Sequence, residues 1–486
     1  MDLYTSRVMD PLHDEPQTRE VLDIVVAEAN RYLAALDESL ARKPGADDAP
    51  TRLGGALPDE GDGALKALHG LIEDGLDGAI RSSGPRFFHF VQGGTTPAAL
   101  AADWLVSVLD QNPGMWVASP LGEGLEVVVI EWLKDLFGIP SNWGGVLTTG
   151  AQMANFTGLA AGRRWWGAQH GVDVDREGLA GLPQMPVFTS GLVHPTCLKA
   201  MGMLGVGRDR VGVVTRDEVG RFDVARLERK LGALDGAPAV LIATAGEPNA
   251  GAFDPIDELA DLAEAYGCWL HVDGAFGLFA SLSEQSNHLV AGIGRAHSII
   301  SDGHKWLNVP YDCGFAFVRD RALLSGAFGI GASYLSPIND HLHPNAAYLS
   351  PESSRRARAL PVWATLKAYG RSGYKQMVER HLELAQRLAR AVDEAEDLER
   401  LGDVPLNIVC FRYNPVGIAE DRLDSINEQL GDAIIEDGRI YVGTTVYAGK
   451  RALRPAIVNW RTTASDIDLI VEVVRELGAR ISAQPA

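Results

Sequence analysis

The sequence predicts an α/β protein, with a mostly parallel central sheet in a large domain and a smaller α+β domain at the C-terminal end. Three observations predict it. Between about residues 95 and 320, short apolar runs alternate with helical patterns. Several of these runs are apolar throughout, as strands covered on both faces must be. After about residue 370 long helical patterns replace the alternation. Strand–helix alternation builds parallel sheets through right-handed crossovers.

The elements follow in chain order. Residues 17–42 read as an amphipathic helix, with Leu22, Val25, Val26, Ala29, Leu33 and Leu36 at helical spacing. The Gly/Pro/Asp-rich "KPGADDAPTRLGGALPDEGDG" then reads as an exposed linker. This N-terminal arm, residues 1–90, has too few apolar residues for a core of its own and is expected to pack on something larger, such as a second subunit. In the large domain, residues 91–370, the expected strands are "MPVFTS", "VGVVT", "AVLIATA", "CWLHVD", "HSIIS" and "CGFAFVRD", with helices such as "DPIDELADLAEAYG" between them. In the small domain, residues 371–486, "YKQMVERHLELAQRLARAVDEAE", "LDSINEQLGDAIIEDG" and "SDIDLIVEVVRELGARI" read as helices flanking strands "NIVCFRYN" and "RPAIVNW".

Composition excludes several function classes. With 46% hydrophobic and 22% charged residues the chain is an ordinary globular one. A net charge of −20 without a basic tract argues against nucleic-acid or anionic-membrane partners. No apolar run approaches a membrane span and the start, "MDLYTSRVMDPLHDEP", has no secretory apolar region, so a cytoplasmic location is expected. Cys197, Cys268, Cys313 and Cys410 are scattered without paired zinc spacing; reduced thiols and no metal site are expected.

Four stretches carry chemistry. In "GGVLTTGAQMANFTGLAAGRRWW", residues 144–166, an apolar segment runs through small residues into a helix. The N–H groups of a helix start make an anion site, although glycine turns of this kind are also common without one. Asp273 in "WLHVDGAFG" ends an apolar strand, where ligands of α/β sheets gather. It suits a protonated ring nitrogen or, equally, a helix cap. Lys305 in "SDGHKWLNVPYDCG" follows another strand. A desolvated lysine is an amine nucleophile, whereas the usual fate of the residue is a solvated surface position. His194 in "SGLVHPTCLKAMGMLGVG" stands between strand and helix, placed to stack on a planar ring, donate a proton or cap the helix.

Their order along the chain is specific. Together with "PRFFHFVQGG" and the later "AADWL", these blocks resemble the pyridoxal-phosphate-dependent group II amino-acid decarboxylases, which include the aromatic-L-amino-acid, histidine, glutamate and cysteine-sulfinate decarboxylases. The resemblance spans roughly residues 80–480 and implies the aspartate-aminotransferase-like fold (fold type I) with pyridoxal 5′-phosphate as cofactor. Carried over residue by residue, Lys305 holds the cofactor covalently, His304 touches its phosphate or the substrate carboxylate, and Asp273 keeps the ring nitrogen protonated. His194 stacks over the ring, and Ala275 packs beneath it. Ala151 and Gln152, joined by Asp302 or Ser301, contact the phosphate, and Thr244 lies near the ring oxygen. Gln152 departs from the family's usual Gly-Ser-Glu, leaving its backbone N–H to serve. "GEPNAG" keeps only Asn249 of a Thr-Asn pair.

The resemblance also implies a substrate side. Arg454 is the better match for the carboxylate-binding arginine, with Arg461 structural. Tyr348, or else Tyr334, is the proton donor on the loop "LSPINDHLHPNAAYLSPESSRRARALP". His89, Phe88 and Trp116, with Phe87 and Phe90, line the pocket, partly from the neighbouring subunit, or belong to the core. A homodimer with shared active sites is implied. The expected reaction is decarboxylation of an L-amino acid, aromatic favoured, to its amine. An aldehyde synthase, another carbon–carbon lyase on this fold, or a cofactor-binding protein without activity are the alternatives.

Overall fold

The computed structural model describes residues 11–331 and 344–483. The large domain is framed by β1 (Gly144–Thr148), β2 (Val187–Thr189), β3 (Val211–Val213), β4 (Val240–Thr244), β5 (Trp269–Asp273), β6 (Ser298–Asp302) and β7 (Gly314–Val318). They form one sheet in the order β1-β7-β6-β5-β4-β2-β3. Strands β2 to β6 pair in parallel, while β7 runs antiparallel to both β6 and β1. Each of the six expected apolar runs overlaps one of these strands.

Alternate residues of a strand face opposite sides, and here both sides are covered. Leu241, Ala243, Leu270, Val272, Ile299, Phe315 and Phe317 enter one core with the helices Pro120–Phe137 and Ile256–Ala265. Val240, Ile242, Trp269, Ile300, Ala316 and Val318 enter the other, against the helices Ala151–Gln169 and Pro195–Met203. This double burial is why the runs are apolar throughout rather than alternating.

The small domain holds β8 (Leu398–Arg400), β9 (Phe411–Tyr413), β10 (Thr444–Tyr447) and β11 (Lys450–Leu453), antiparallel in the order β10-β11-β9-β8. The helices Glu420–Asp437 and Ala464–Ser482 cover it. One expectation is corrected here. "RPAIVNW" is not a strand and contributes only an isolated Ile408–Ala456 bridge, in keeping with the missing N–H of Pro455. The hairpin β10–β11 takes its place. It turns on Ala448 and Gly449, both left-handed (φ 48° and 78°), a geometry normally announced by Asn-Gly or Asp-Gly.

The helix Ala359–Glu394 ties the domains together and is broken at Gly370 (φ 59°). Its residues up to Leu382 pack in the large core, and those from Leu384 on in the small one. Phe88 packs in the small-domain core, and its N–H donates to Tyr441 O at 2.8 Å, so the end of the N-terminal segment is pinned there. The N-terminal helix spans Thr18–Ala35 and buries none of its residues. Among the described residues no helix is long and apolar enough to cross a membrane.

Candidate active site

Strands β4, β5 and β6 end at a cavity of about 470 Å³. Strand ends of an α/β sheet are where main chain opens into turns and side chains converge on a ligand.

Asp273, the last residue of β5, is buried and accepts three hydrogen bonds. Its Oδ2 takes Asn155 Nδ2 at 2.9 Å and Cys197 Sγ at 3.3 Å; its Oδ1 takes the Ala275 N–H at 3.1 Å. The carboxylate thus pins its own turn and still lines the cavity.

Lys305 lies in the turn from β6 to β7, its side chain 19% exposed. Nζ stands 3.4 Å from Asp302 Oδ2 and 5.7 Å from the centre of the Phe276 ring. His304 Nε2 is 3.4 Å from the same Asp302 oxygen, its Nδ1 accepts the Cys313 N–H at 3.2 Å, and its ring stacks on Tyr311 at 4.1 Å. Burial pushes the Asp302 carboxyl up, but His304 and Lys305 outweigh it and hold the group below its ordinary value. A lysine enters the interior here because a carboxylate is waiting for it.

His194 caps the helix Pro195–Met203 and lines the cavity at once. The Thr196 N–H (3.3 Å) and hydroxyl (2.7 Å) both meet its Nδ1. That leaves Nε2 to carry the imidazole proton. Burial pulls His194 below its ordinary pKa, and Asp273 offsets only part of this.

The fourth element is the start of the helix Ala151–Gln169, where Thr149, Gly150, Ala151 and Gln152 reach the cavity. No side chain caps this helix, so its first N–H groups stay available to an anion. Gly150 is at φ 149°, and a Cβ on it would stand 2.9 Å from His304 Cε1. These features fit a phosphorylated carbonyl compound. The uncapped helix start receives an anion, and the glycine keeps the approach open. Thr244 and Ala275 complete the floor, while Ser301 turns away and donates to Ala275 O at 3.3 Å.

On the substrate side, Arg454 lines the cavity and donates from Nη1 to Pro248 O at 2.9 Å. His89 is near it. Burial, then the Arg454 charge, pulls this imidazole down to about 4. Phe90 and Val91 reach the cavity from left-handed backbone, both at φ 56°, a strained conformation for such residues. Other residues are not brought in. Phe88 is core, Phe87 stacks on Tyr441 at 5.1 Å, and the Trp116 N–H donates to Asn345 Oδ1 at 3.0 Å. Asn249 accepts from Thr445 at 2.7 Å, and Arg461 pairs with Asp37 at 3.1 Å. Tyr348 is buried in the turn Ala346–Tyr348, whose Ala346 N–H donates to Glu123 at 3.0 Å, and is not among the described residues lining the cavity. Tyr334 lies outside the described residues.

Sequence reasoning missed Asn155, Thr196, Cys197, Pro248 and Phe276. Asn155 had a signal, a fully buried amide on the helix Ala151–Gln169 among small and apolar residues; the rest needed the fold.

The combination defines an enzyme that anchors a phosphorylated carbonyl cofactor on a lysine. Residues 52–414 match the pyridoxal-dependent decarboxylase conserved domain. The chain belongs to that family: it is a pyridoxal-phosphate-dependent amino-acid decarboxylase, a carboxy-lyase of fold type I. It is 31% identical over 433 residues to an aromatic-L-amino-acid decarboxylase of Bacillus atrophaeus, covering 88% of each chain. It is 28% identical over 432 residues to an L-2,4-diaminobutyrate decarboxylase of Acinetobacter baumannii, covering 86% of this chain and 84% of that one. Among solved structures, mouse CSAD superposes with a TM-score of 0.86 at 26% identity, over 96% of this chain and 99% of the other.

Proposed function

We propose that this decarboxylase takes an L-amino acid with a large apolar side chain, aromatic ones favoured, and releases the amine and carbon dioxide. The observation that carries the reading is the wall of the cavity: Phe90, Val91, Pro248 and Phe276. Apolar walls with a few placed polar groups bind apolar side chains. The two carboxylates that line the cavity, Asp273 and Asp302, are already engaged. A distal ammonium, as in 2,4-diaminobutyrate, therefore finds no counter-charge among the described residues. Among the described residues Arg454 is the one arginine of that lining, so an acidic side chain finds no second guanidinium among them once the α-carboxylate is bound.

In this reading Lys305 is the covalent anchor, and Asp273 keeps a proton on the ring nitrogen. When bound, the cofactor supplies an electron sink for the bond broken at Cα. The main-chain N–H groups of Ala151 and Gln152 hold the phosphate, and Asp302 positions Lys305 and His304. Arg454 grips the α-carboxylate with its planar fork, and that grip decides which Cα bond is aligned for cleavage. His194, lining the cavity with Nδ1 engaged by Thr196, would stack on the ring and carry its proton on Nε2. A homodimer supports the site. Leu22, Val25 and Val26 of the N-terminal helix and Trp104, Leu105, Val108 and Leu109 of the helix Pro97–Leu109 are exposed apolar residues, a surface suited to a second copy.

The test is mass spectrometry of products from cofactor-loaded protein with aromatic, aliphatic, acidic and diamino acids. Amine from the aromatic members is expected. Amine from 2,4-diaminobutyrate or glutamate alone would overturn the substrate reading, and aldehyde would indicate the synthase.

A further inference from the structure

Behind Asp273, on the side away from the cavity, a polar row crosses a core that is otherwise apolar. Trp269, His271 and Asp273 are alternate residues of β5 and share one face of the sheet. Over them lies the helix Ala151–Gln169, presenting Asn155, Gly158 and Gly162, residues three and four apart and so on one helical face. The two rows mesh. A Cβ on Gly158 would stand 2.9 Å from His271 Cε1, and one on Gly162 would stand 3.0 Å from Trp269 Nε1. The glycines are where the helix makes room for the ring side chains. Asn155 then bridges His271 Nε2 (2.9 Å from its Oδ1) and Asp273 Oδ2 (2.9 Å from its Nδ2). Ser298, on the neighbouring strand β6, meets His271 Nδ1 at 2.8 Å and accepts from Trp269 Nε1 at 3.0 Å.

The direction of every bond follows from the ends. Asn155 presents its N–H₂ to Asp273 Oδ2, which leaves its oxygen to face His271. His271 Nε2 must then carry the proton, and Nδ1 must accept from the Ser298 hydroxyl. The Trp269 indole, which can only donate, closes the row at Ser298. His271, Ser298 and Asn155 are fully buried. Burial pulls the imidazole down to about 4, so it stays neutral. A buried polar chain of this kind is favourable only when every member is satisfied, and this one is.

We infer that Asn155 and His271 are positioning residues for the cofactor: through the one-way chain Trp269–Ser298–His271–Asn155 they hold the Asp273 carboxyl group aimed at the ring nitrogen. The inference rests on the proposed role of Asp273. Without His271 the Asn155 amide is free to turn its oxygen toward Asp273, which would remove the donor that aims the carboxyl group.

The experiment compares the affinity of apoprotein for pyridoxal phosphate and for its 1-deaza analogue, in which C–H replaces the ring nitrogen. Wild type should prefer the natural cofactor; if it does not, the Asp273 role itself fails. Asn155→Leu and His271→Leu should weaken pyridoxal phosphate about ten- to a hundredfold, the range for one hydrogen bond to a charged group, and leave the analogue within about twofold. His271→Gln, which keeps an N–H toward Asn155, should restore most of the loss. Equal weakening of both ligands, or none in a wild type that discriminates, overturns the inference. If the leucine variants do not fold, ¹⁵N-histidine NMR of the wild-type holoenzyme decides. A neutral His271 protonated at Nε2 is expected, and an Nδ1–H tautomer refutes the chain.

Discussion

Gly150→Ala tests the phosphate-side geometry most directly. Gly150 sits at φ 149° and ψ 176°, a region essentially closed to other residues, where strain costs about 1–3 kcal/mol. The new methyl would also stand 2.9 Å from His304 Cε1. Neither partner retreats easily. His304 is held by the Cys313 N–H and the Tyr311 ring. Gly150 is backed by Gly314, so close that a Cβ there would be 2.6 Å from the Gly150 main chain. The empty protein can relieve the strain by shifting the turn, and binding must restore it. With a factor of ten for each 1.4 kcal/mol, affinity for pyridoxal phosphate should fall about ten- to a hundredfold. Fluorescence titration of apoprotein measures it, with a denaturant melt alongside to read the strain left in the fold. An alanine variant with wild-type affinity and wild-type midpoint would refute the assignment of this turn to the phosphate.

Other consequences are equally open to measurement. Lys305→Ala should abolish both turnover and the mass gained on borohydride reduction of the holoenzyme; persisting turnover would sink the mechanism. Arg355→Met strips Glu126 of a buried partner that bonds both of its oxygens at 2.9 Å, so the stability measured by urea melts should fall by about 3–5 kcal/mol. Burial pushes the Glu123 carboxyl up to about 8. Because its folded value lies above its unfolded one, the stability it contributes is present below about pH 4.5 and is lost as pH rises towards 8. Glu123→Gln, which can still accept from Ala346, should therefore flatten the decline in urea midpoint between those values, and an unchanged slope would show that Glu123 is not its source. Tyr348→Phe should leave the ratio of amine to aldehyde unchanged, since the phenol is buried away from the cavity of its own chain; a rise in aldehyde would make it the donor.

What the sequence determined by itself is the part of the molecule written in local chemistry. The central strands β4 to β7 were legible because both of their faces are buried, so that they read as largely apolar runs ended by turn residues. The chemical residues at those strand ends were legible because a polar side chain after such a run has few reasons to be there: Asp273 after "WLHV" and the lysine in "DGHKW" are of this kind. The hairpin β10–β11 escaped notice because Ala448 takes a conformation that alanine does not advertise. Tertiary structure alone decided which side chains meet. Tyr348 matches a loop pattern, yet it is buried where Glu123 holds its turn, and Phe88 is aromatic in a pocket-like stretch, yet packs in the small-domain core. Asn155 and His271 lie on a helix and a strand far apart in the chain, and neither neighbourhood reveals the other. Sequence spacing sets which residues share a face of one element; only the packing of one element on another sets which faces touch, and the site is made at those contacts.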